Sequence, residues 1–288
     1  MKLLLLGHYA SDVVHGADGS ERLRRGGLHR VIERLSALAS RQDRITPVFA
    51  AGSAEYPDII QELAAFSNVD TGGIYAVDMP SPRVHYYEQQ DGVRVECVKE
   101  LAAPIPFERI RKYLDVDGVL INMMSGADLR LETLDEIRMI VRGAGTKLHL
   151  DMHNLTTGVG AKGERMRRPV PLWRRWAFMV DTVQMNEEEI AGLTGEQLAE
   201  QQTIGHLLTL SVKAVLVTRG AGGASLYTSE HKHVVRKDVP APELTGTQEP
   251  GSGDLFGAAF FLRFCAAGDP AAALEYAVAT AAGAGNER

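Results

Sequence analysis

Hydrophobic residues occur in two patterns along this chain of 288 residues: short continuous runs, and longer stretches with helical spacing. Residues 2–7 (KLLLLG) form a continuous apolar run that ends in glycine, which is typical of a central strand buried on both faces. Leu28–Leu38 has its apolar residues at helical spacing and predicts an amphipathic helix. Residues 10–27 are rich in glycine, aspartate, serine and arginine, so we expect a loop or a mobile segment there.

Further runs of the same two kinds follow to the end of the chain. They predict strands at 45–51, 119–121, 147–151, 180–185, 214–218 and 224–227, and helices at 129–141, 187–193, 203–210, 254–267 and 271–282. Strands that alternate with helices indicate the α/β class, with a doubly wound, mostly parallel sheet flanked by helices. We expect a single domain over residues 1–288, with ligands bound at the carboxyl ends of the strands.

Residues 84–98 do not fit this alternation. Two runs rich in valine and tyrosine, 84–90 and 93–98, are joined by Asp91-Gly92, which is a strong signal for a type I′ hairpin. Val93, Val95 and Cys97 alternate with mostly polar residues, so one face of the hairpin is apolar. Because an isolated hairpin is marginally stable in water, we expect that face to pack against a partner.

Charge and composition exclude several classes of protein. The formal net charge is −6, and no dense run of lysine or arginine supplies the basic face that a nucleic-acid binder needs. No apolar stretch approaches the roughly 20 residues needed to span a bilayer, and the two cysteines lack metal-type spacing. We therefore expect a cytoplasmic protein without nucleic-acid or membrane partners. The arginines of the most basic stretch are predicted to lie in a solvated loop and helix start: Arg165, Arg167, Arg168, Arg174 and Arg175.

The segment PGSGDLFGAAF at residues 250–260 carries the strongest signal for chemistry. Gly251 and Gly253 allow a tight turn, and the apolar helix that follows places the N–H groups around Ser252 at a helix N-terminus, where anions bind. Asp254, in the first helical turn, is well placed to accept a proton from a hydroxyl nucleophile. The alternative is an ordinary loop with an N-capping acid.

Two further segments combine a strand end with polar or glycine residues. Asn186 and Glu189 are three positions apart, so they share a helical face on which a carboxylate can hold metal-bound water. The alternative is an asparagine N-cap whose neighbouring acids complement the helix dipole. After the next strand, a glycine-rich turn offers backbone against which a base or ribose can lie, unless it is a plain β-turn. The residues of that turn are Thr218, Gly220, Gly222 and Gly223.

Other residues carry weaker signals. Asp151 and Asn154 follow a strand on the expected ligand side and are candidates for a substrate or phosphate contact. His149 and His153 lack partnering acids at metal spacing, so a zinc site is not predicted. Residues expected to pack or to lie at the surface are His8, His29, Trp173 and Trp176.

In chain order, these segments resemble the ribokinase-like (PfkB) family of carbohydrate and nucleoside kinases. The family's C-terminal signature D-T-x-G-A-G-D-x-F-x-x-G/A compares with GSGDLFGAAF at residues 251–260. Residues 186–189 (NEEE) are similar to its N-x-x-E motif, which is linked to magnesium and phosphate handling. Residues 217–224 (VTRGAGGA) resemble its nucleotide-binding strand and turn. Near the front, Gly26-Gly27 is similar to a diglycine near the substrate, and Asp12 matches an acid that binds substrate hydroxyls.

The resemblance implies an ATP-dependent, magnesium-requiring phosphotransferase that acts on a hydroxyl of a small sugar, nucleoside or related alcohol. Asp254 is then the general base, and the N–H groups of Gly251, Ser252 and Gly253 form the anion hole. The resemblance also implies a β lid, formed by segments near 12–25 and 74–100, that closes over the acceptor. The partner of its apolar face is either the substrate site or the lid of a second subunit, which would make a homodimer.

The chain departs from the family at several positions. Residues 248–250 (QEP) replace the D-T-x that helps build a monovalent-cation site in many relatives, so potassium activation depends on whether Glu249 supplies a substitute oxygen. The asparagine usual after the diglycine is absent, and residues 28–31 read LHRV. The phosphate machinery therefore matches the family better than the acceptor site does. One competing function is a ligand-binding or regulatory protein that has lost turnover. A dehydrogenase requires G-x-G-x-x-G after the first strand, where residues 7–12 read GHYASD.

Overall fold

The computed structural model describes residues 1–16, 18–88, 94–242 and 252–283. In chain order its strands are β1 (Lys2–Leu6), β2 (Tyr9–His15), β3 (Glu21–Gly27), β4 (Arg44–Gly52), β5 (Ile74–Val77), β6 (Arg83–Glu88), β7 (Arg94–Lys99), β8 (Gly118–Asn122), β9 (Lys147–Asp151), β10 (Thr157–Val159), β11 (Arg165–Arg167), β12 (Thr182–Asn186), β13 (Ala214–Thr218), β14 (Ala224–Glu230) and β15 (His233–Val239). Its α-helices are α1 (Leu28–Leu38), α2 (Tyr56–Leu63), α3 (Phe107–Ile110), α4 (Leu131–Val141), α5 (Trp173–Phe178), α6 (Glu187–Gly192), α7 (Glu200–Leu208), α8 (Ser252–Ala267) and α9 (Pro270–Gly283).

Within the described residues, nine strands form the main sheet, in the order β15-β14-β13-β12-β9-β8-β1-β4-β5. Neighbours from β5 to β13 run parallel, and β14 and β15 add an antiparallel edge. The doubly wound, mostly parallel sheet that the sequence predicted is confirmed. No helix within the described ranges has the length and apolar character that crossing a bilayer requires.

Strand β1 shows why the sheet is covered on both faces. Leu3 and Leu5 pack with α1, α2 and α8 on one face, whereas Leu4 and Leu6 pack with α4 to α7 on the other. All four leucine side chains are fully buried. Because successive strand residues point to opposite faces, a strand between two helical layers has to be apolar at every position.

Residues 10–27 are not a loop, and this prediction was wrong. They form most of β2 and β3, which pair antiparallel with each other, and β2 also pairs in parallel with β6 of the 84–98 hairpin. The resulting four-stranded sheet, in the order β3-β2-β6-β7, is called the small sheet below. Its edge strand β3 is exposed over most of its length, so its composition resembles that of a loop. The hairpin strands are confirmed, while the Asp91-Gly92 turn lies outside the described residues.

Candidate active site

A cleft lies between the carboxyl ends of the main-sheet strands and the small sheet. Parallel strands end at one edge of a sheet, so Asp151, Asn186 and Thr218 line the same cleft although they end β9, β12 and β13. The cavity has a volume of about 190 Å³. The opposite wall belongs to the small sheet and consists of Ala10, Asp12, Val84, Tyr86, Glu96 and Val98.

This wall also shows which way the hairpin faces. Glu96 and Val98 of β7 line the cleft, so the alternation of side chains turns Val95 and Cys97 to the other side of the small sheet. Val93 lies outside the described residues. The apolar face expected from the sequence therefore does not cover the cleft.

The end of the cleft under the small sheet is built from β2, β3 and the first turn of α1. Asp12 is almost fully buried, and a Cβ at Gly26 would lie only 2.1 Å from its Oδ1, so the glycine leaves room for the carboxylate. Gly27 has a φ of 57°, which turns the chain from β3 into α1. Arg30 donates a hydrogen bond to Asp12 Oδ2, and its Nη1 lies 4.0 Å from Asp254 Oδ2.

Asp254 occupies the first turn of α8 and is 8 % exposed. Burial raises its pKa above the ordinary value, while the charges of His153 and Arg30 oppose that rise. A raised pKa suits a carboxylate that has to take a proton near neutral pH. Gly253 lines the cleft beside it, and Ser252 begins the helix. Gly251 lies outside the described residues.

Next to Asp254 the cleft holds a second buried carboxyl group. Asp151 accepts hydrogen bonds from Asn122 Nδ2 at 3.2 Å and from Gln184 Nε2 at 3.4 Å. Burial, reinforced by the charges of Glu189 and Asp254 and opposed by that of His153, raises the pKa of Asp151 to about 8. Burial therefore favours the protonated carboxyl group of Asp151, whereas a charged His153 favours the ionised one, so the two groups titrate together. Asp151 lies where the sequence suggested a ligand contact.

His153 is the charge partner of these acids. Burial works against its protonation, but the carboxylates of Glu189, Asp151 and Asp254 raise its pKa to about 9. Its Nδ1 lies 3.8 Å from Glu189 Oε1. These carboxylates favour the protonated imidazole, whose positive charge then lies in the cleft. Asn154, also a candidate from the sequence, lines the cleft and donates its Nδ2 hydrogen to Met124 O at 2.7 Å.

Asn186 and Glu189 form a capping box at the start of α6. The Asn186 side chain accepts a hydrogen bond from the Glu189 N–H at 2.8 Å, and Glu189 Oε2 accepts one from the Asn186 N–H at 2.9 Å. Both residues also line the cleft, so capping does not exclude a ligand role. Across the residues that the structure describes, no cluster of three or more His, Cys, Asp or Glu side chains is arranged to hold a metal ion directly.

The glycine-rich turn after β13 lies beside the cleft more than in it. Thr218 lines the cleft, whereas Gly220 and Gly222 form a short 3₁₀ turn that is not part of the cleft lining. Gly223 has a φ of 87°, and a Cβ there would lie 2.1 Å from Val239 O. This glycine is therefore required by the packing of β15 against the turn, in addition to any nucleotide contact.

Several cleft residues were not predicted to be functional. Arg30 stood out in the sequence only as a departure from the family's asparagine, and Arg165 was expected in a solvated loop. The Arg165 side chain is 6 % exposed, bonds to Glu96 and lines the cleft, so that expectation was wrong. A side chain buried by a partner 69 positions away leaves no local signal in the sequence. Gln184 was missed for the same reason, because its contact with Gly253 O joins β12 to α8.

His8, expected to pack, is buried and makes contacts within the protein, and it also lines the cleft. Its backbone N–H donates to Asp128 Oδ1 at 2.6 Å, and its Nδ1 lies 2.8 Å from Ser125 Oγ. His29 is also buried, and its Nε2 lies 3.0 Å from Glu62 Oε1. The two tryptophans near residue 175 belong to the core, as the sequence indicated.

This chain is similar in sequence and in fold to known proteins. The model of the pfkB family carbohydrate kinases matches residues 167–284. The ribokinase of Thermotoga maritima is 20 % identical, with a TM-score of 0.75 over 97 % of this chain and 91 % of that one. The ribokinase of Arabidopsis thaliana, solved with ribose and ATP, is 21 % identical, with a TM-score of 0.70 over 97 % and 91 %.

A third solved structure has a higher TM-score. It is a pyrophosphate-dependent kinase in the ribokinase family, complexed with a pyrophosphate analog and myo-inositol. It is 15 % identical, with a TM-score of 0.79 over 99 % of this chain and 95 % of that one. Curated protein sequences give no match. The ribokinase fold and the resemblance to the PfkB family are thereby confirmed.

Proposed function

We propose, from the ribokinase fold and from the match of residues 167–284 to the pfkB family model, that this chain is an ATP-dependent kinase of a small alcohol. It transfers the γ-phosphoryl of ATP to a hydroxyl of a sugar, a nucleoside or a related compound. The observation that carries this proposal is the position of Asp254. Its buried carboxylate lies in the first turn of α8 and faces the same cleft as Asp12, with Arg30 between the two acids.

The reaction needs one proton transfer and one phosphoryl transfer. Asp254 accepts the proton of the acceptor hydroxyl as the new O–P bond forms and the bond from the γ-phosphorus to the bridging oxygen breaks, which leaves ADP. The negative charge of the transferred group lies at the N-terminus of α8, where Ser252 and Gly253 present N–H groups, and we assign Gly251 to the same anion hole.

The acceptor binds at Asp12 and Arg30, beside Gly26 and Gly27. A carboxylate accepts hydrogen bonds and a guanidinium donates them, so this ion pair matches neighbouring hydroxyl groups, each of which can do both. The small sheet acts as the lid over this end, because Val84 and Tyr86 cover the cleft opposite Asp254. A closed lid excludes water and so limits hydrolysis of ATP.

The donor lies along Thr218 and the turn of Gly220, Gly222 and Gly223. Magnesium usually keeps several waters and takes one or two carboxylates together with substrate phosphates. Glu189 and Asn186 fit that requirement, because Glu189 is a buried carboxylate at the cleft and no direct three-ligand cage exists in the described residues. When bound, magnesium would neutralise charge on the donor phosphates, and Glu189 would hold its waters.

A homodimer through the small sheet forms part of the proposal. The face turned away from the cleft carries a stack of His15 on Tyr87, with ring centroids 4.4 Å apart, and a hydrogen bond of 2.8 Å between His15 and His85. Leu23 on this side is 68 % exposed. Sedimentation of a Leu23→Asp variant tests the interface. A dimer that persists in this variant would show that this face is not the interface.

The test of the function is a two-donor screen. Purified protein is incubated with magnesium and either ATP or pyrophosphate, across neutral sugars, cyclitols, nucleosides and vitamin alcohols, and phosphorus NMR detects the phosphorylated product. We expect product with ATP for one class of acceptor. Product formed only with pyrophosphate would show that pyrophosphate, and not ATP, is the phosphoryl donor, as in the pyrophosphate-dependent kinase described above. Acceptor binding by calorimetry without turnover under either donor would favour the ligand-binding alternative.

A further inference from the structure

The hairpin of β10 and β11 joins the small sheet to the rest of the molecule. It extends the edge of β7: Glu164 forms a β-bridge with Cys97, and the Val98 N–H donates to Gly163 O at 2.8 Å. Gly163 has a φ of 87°, and a Cβ there would lie 2.8 Å from Val98 O. Only glycine allows the two backbones to approach this closely.

Arg165 forms the side-chain part of this junction. Its Nε donates to Glu96 Oε1 on β7, while Nη1 donates to Ser125 O at 3.1 Å and Nη2 to Met124 O at 3.2 Å. A further hydrogen bond of 3.3 Å reaches Thr157 Oγ1 on β10. One guanidinium thus connects the small sheet, the loop after β8 and the hairpin.

The loop after β8 is a firm anchor for this contact. Asp128 is fully buried, and its Oδ2 accepts hydrogen bonds from the N–H groups of Ser125 at 2.9 Å and Gly126 at 3.0 Å. The Ser125 hydroxyl lies 2.8 Å from His8 Nδ1, and His8 lies two residues after the end of β1. The carbonyl groups that bind Arg165 are therefore fixed relative to the main sheet.

The same short strand also reaches the donor end. Arg167 shares a face of β11 with Arg165, and its guanidinium donates to Glu188 Oε2 and to Thr156 Oγ1, both at 2.8 Å. Glu188 lies in the first turn of α6, next to Glu189. Side chains of strand β11 therefore contact both the small sheet and the start of α6, which carries the proposed magnesium end.

We propose that Arg165 is a positioning residue, which holds the small sheet closed over the acceptor by tying Glu96 to the carbonyl groups of Met124 and Ser125. This inference rests on the proposed kinase function. Without the guanidinium, Glu96 loses this partner, and the β7 edge of the small sheet keeps its backbone contact with Gly163. The acceptor then binds more weakly, and water reaches the donor phosphates.

The experiment compares Arg165→Gln, Glu96→Gln and the double variant with an Arg168→Gln control, whose exposed arginine lies just beyond β11. We expect Arg165→Gln to raise the acceptor KM by about tenfold or more, because it removes several charge-assisted hydrogen bonds. Hydrolysis of ATP without acceptor should rise relative to transfer, while the KM for ATP stays within about twofold. If Arg165 and Glu96 act through one contact, the double variant has the same acceptor KM as each single variant.

Hydrogen exchange supplies a readout that does not depend on turnover. In the unliganded protein, Arg165→Gln should speed the exchange of amides 94–99 and leave β8 and β9 unchanged. Unchanged exchange at 94–99 would overturn the proposal whether or not the kinase function holds. Faster exchange with unchanged acceptor KM and unchanged coupling would also overturn it, since Arg165 would then be only structural. If Arg165→Gln does not fold, Arg165→Lys and Glu96→Gln carry the same measurements with the same criteria.

Discussion

The two ends of the cleft are built in different ways. The donor end takes its groups from the ends of β12 and β13 and the starts of α6 and α8, so each motif is contiguous and is placed by one strand or helix. The acceptor end is assembled from β2, β3, β6, β7 and α1, with Arg165 added from a hairpin more than sixty positions away in sequence from its partner Glu96. In the proposed kinase, short motifs would thus specify the handling of phosphate, and long-range pairing would specify the acceptor.

The comparison predicts that variants at the donor end change the rate or the magnesium requirement, whereas variants at the acceptor end change the acceptor KM.

Asp254 belongs to both ends, so its loss should have the largest effect. We expect Asp254→Asn to lower kcat by about 10² to 10⁴-fold, because an amide of the same shape cannot accept the hydroxyl proton. ATP affinity and thermal unfolding should match those of the exposed control Asp58→Asn. A variant that keeps more than about a tenth of the wild-type kcat would remove Asp254 from the role of base.

Arg30 tests the acceptor end. Arg30→Gln should raise the acceptor KM by about 10- to 100-fold, because Asp12 loses a charge-assisted hydrogen bond. It also removes a positive charge 4.0 Å from Asp254, so the pKa of Asp254 rises and the acidic limb of the kcat profile moves to higher pH. Arg30→Lys keeps the positive charge but loses the forked guanidinium group. It should therefore raise the acceptor KM and leave the acidic limb of the kcat profile near its wild-type pH. A normal acceptor KM in both variants would contradict the assignment.

Glu189 tests the donor end. Glutamine still supports a capping box, so Glu189→Gln removes the charge while helix α6 keeps its start. We expect activity to require a divalent cation, and the variant to need about tenfold more magnesium for half-maximal rate. The acceptor KM should stay unchanged. Glu187→Gln, in the same helical turn but paired with Arg219, is the control. A magnesium titration that superimposes on that of wild type would exclude Glu189 from metal handling.

Asp151 gives the smallest expected effect, on stability. Its folded-state pKa of about 8 lies above the ordinary value of 3.8, so the folded protein holds a proton that the unfolded chain releases. The resulting stabilisation is complete below pH 3.8 and is lost as the pH rises through about 8. Unfolding in denaturant, without ligands or magnesium, should show a free energy that falls over this window. In Asp151→Asn the free energy of unfolding should fall less steeply with pH than in the wild type. Equal slopes in the two proteins would mean that Asp151 is ionised at neutral pH.

The sequence predicted the structure wherever the feature depends on a single strand or helix. The leucines of β1 predicted a strand between two layers, and the spacing of Asn186 and Glu189 predicted either a cap or a ligand pair, of which the structure contains the cap facing the cleft. The composition of β2 and β3 misled because β3 is an exposed edge and because Asp12 is a charged residue buried against Arg30 of another element. Side-chain pairing across distant strands depends on register, which a single sequence does not display.

The parallel pairing of β2 with β6 also affects how the protein folds. Ser11 lies opposite Arg83, so some seventy residues, including α1 and β4, separate the two partners. Parallel strands cannot be joined by a tight turn, and closing a long loop costs entropy before any contact forms in return. We therefore expect the main sheet to form first and the small sheet to be completed late. On the ribosome, β2 and β3 would emerge early and remain without β6 until the chain beyond residue 88 has been made.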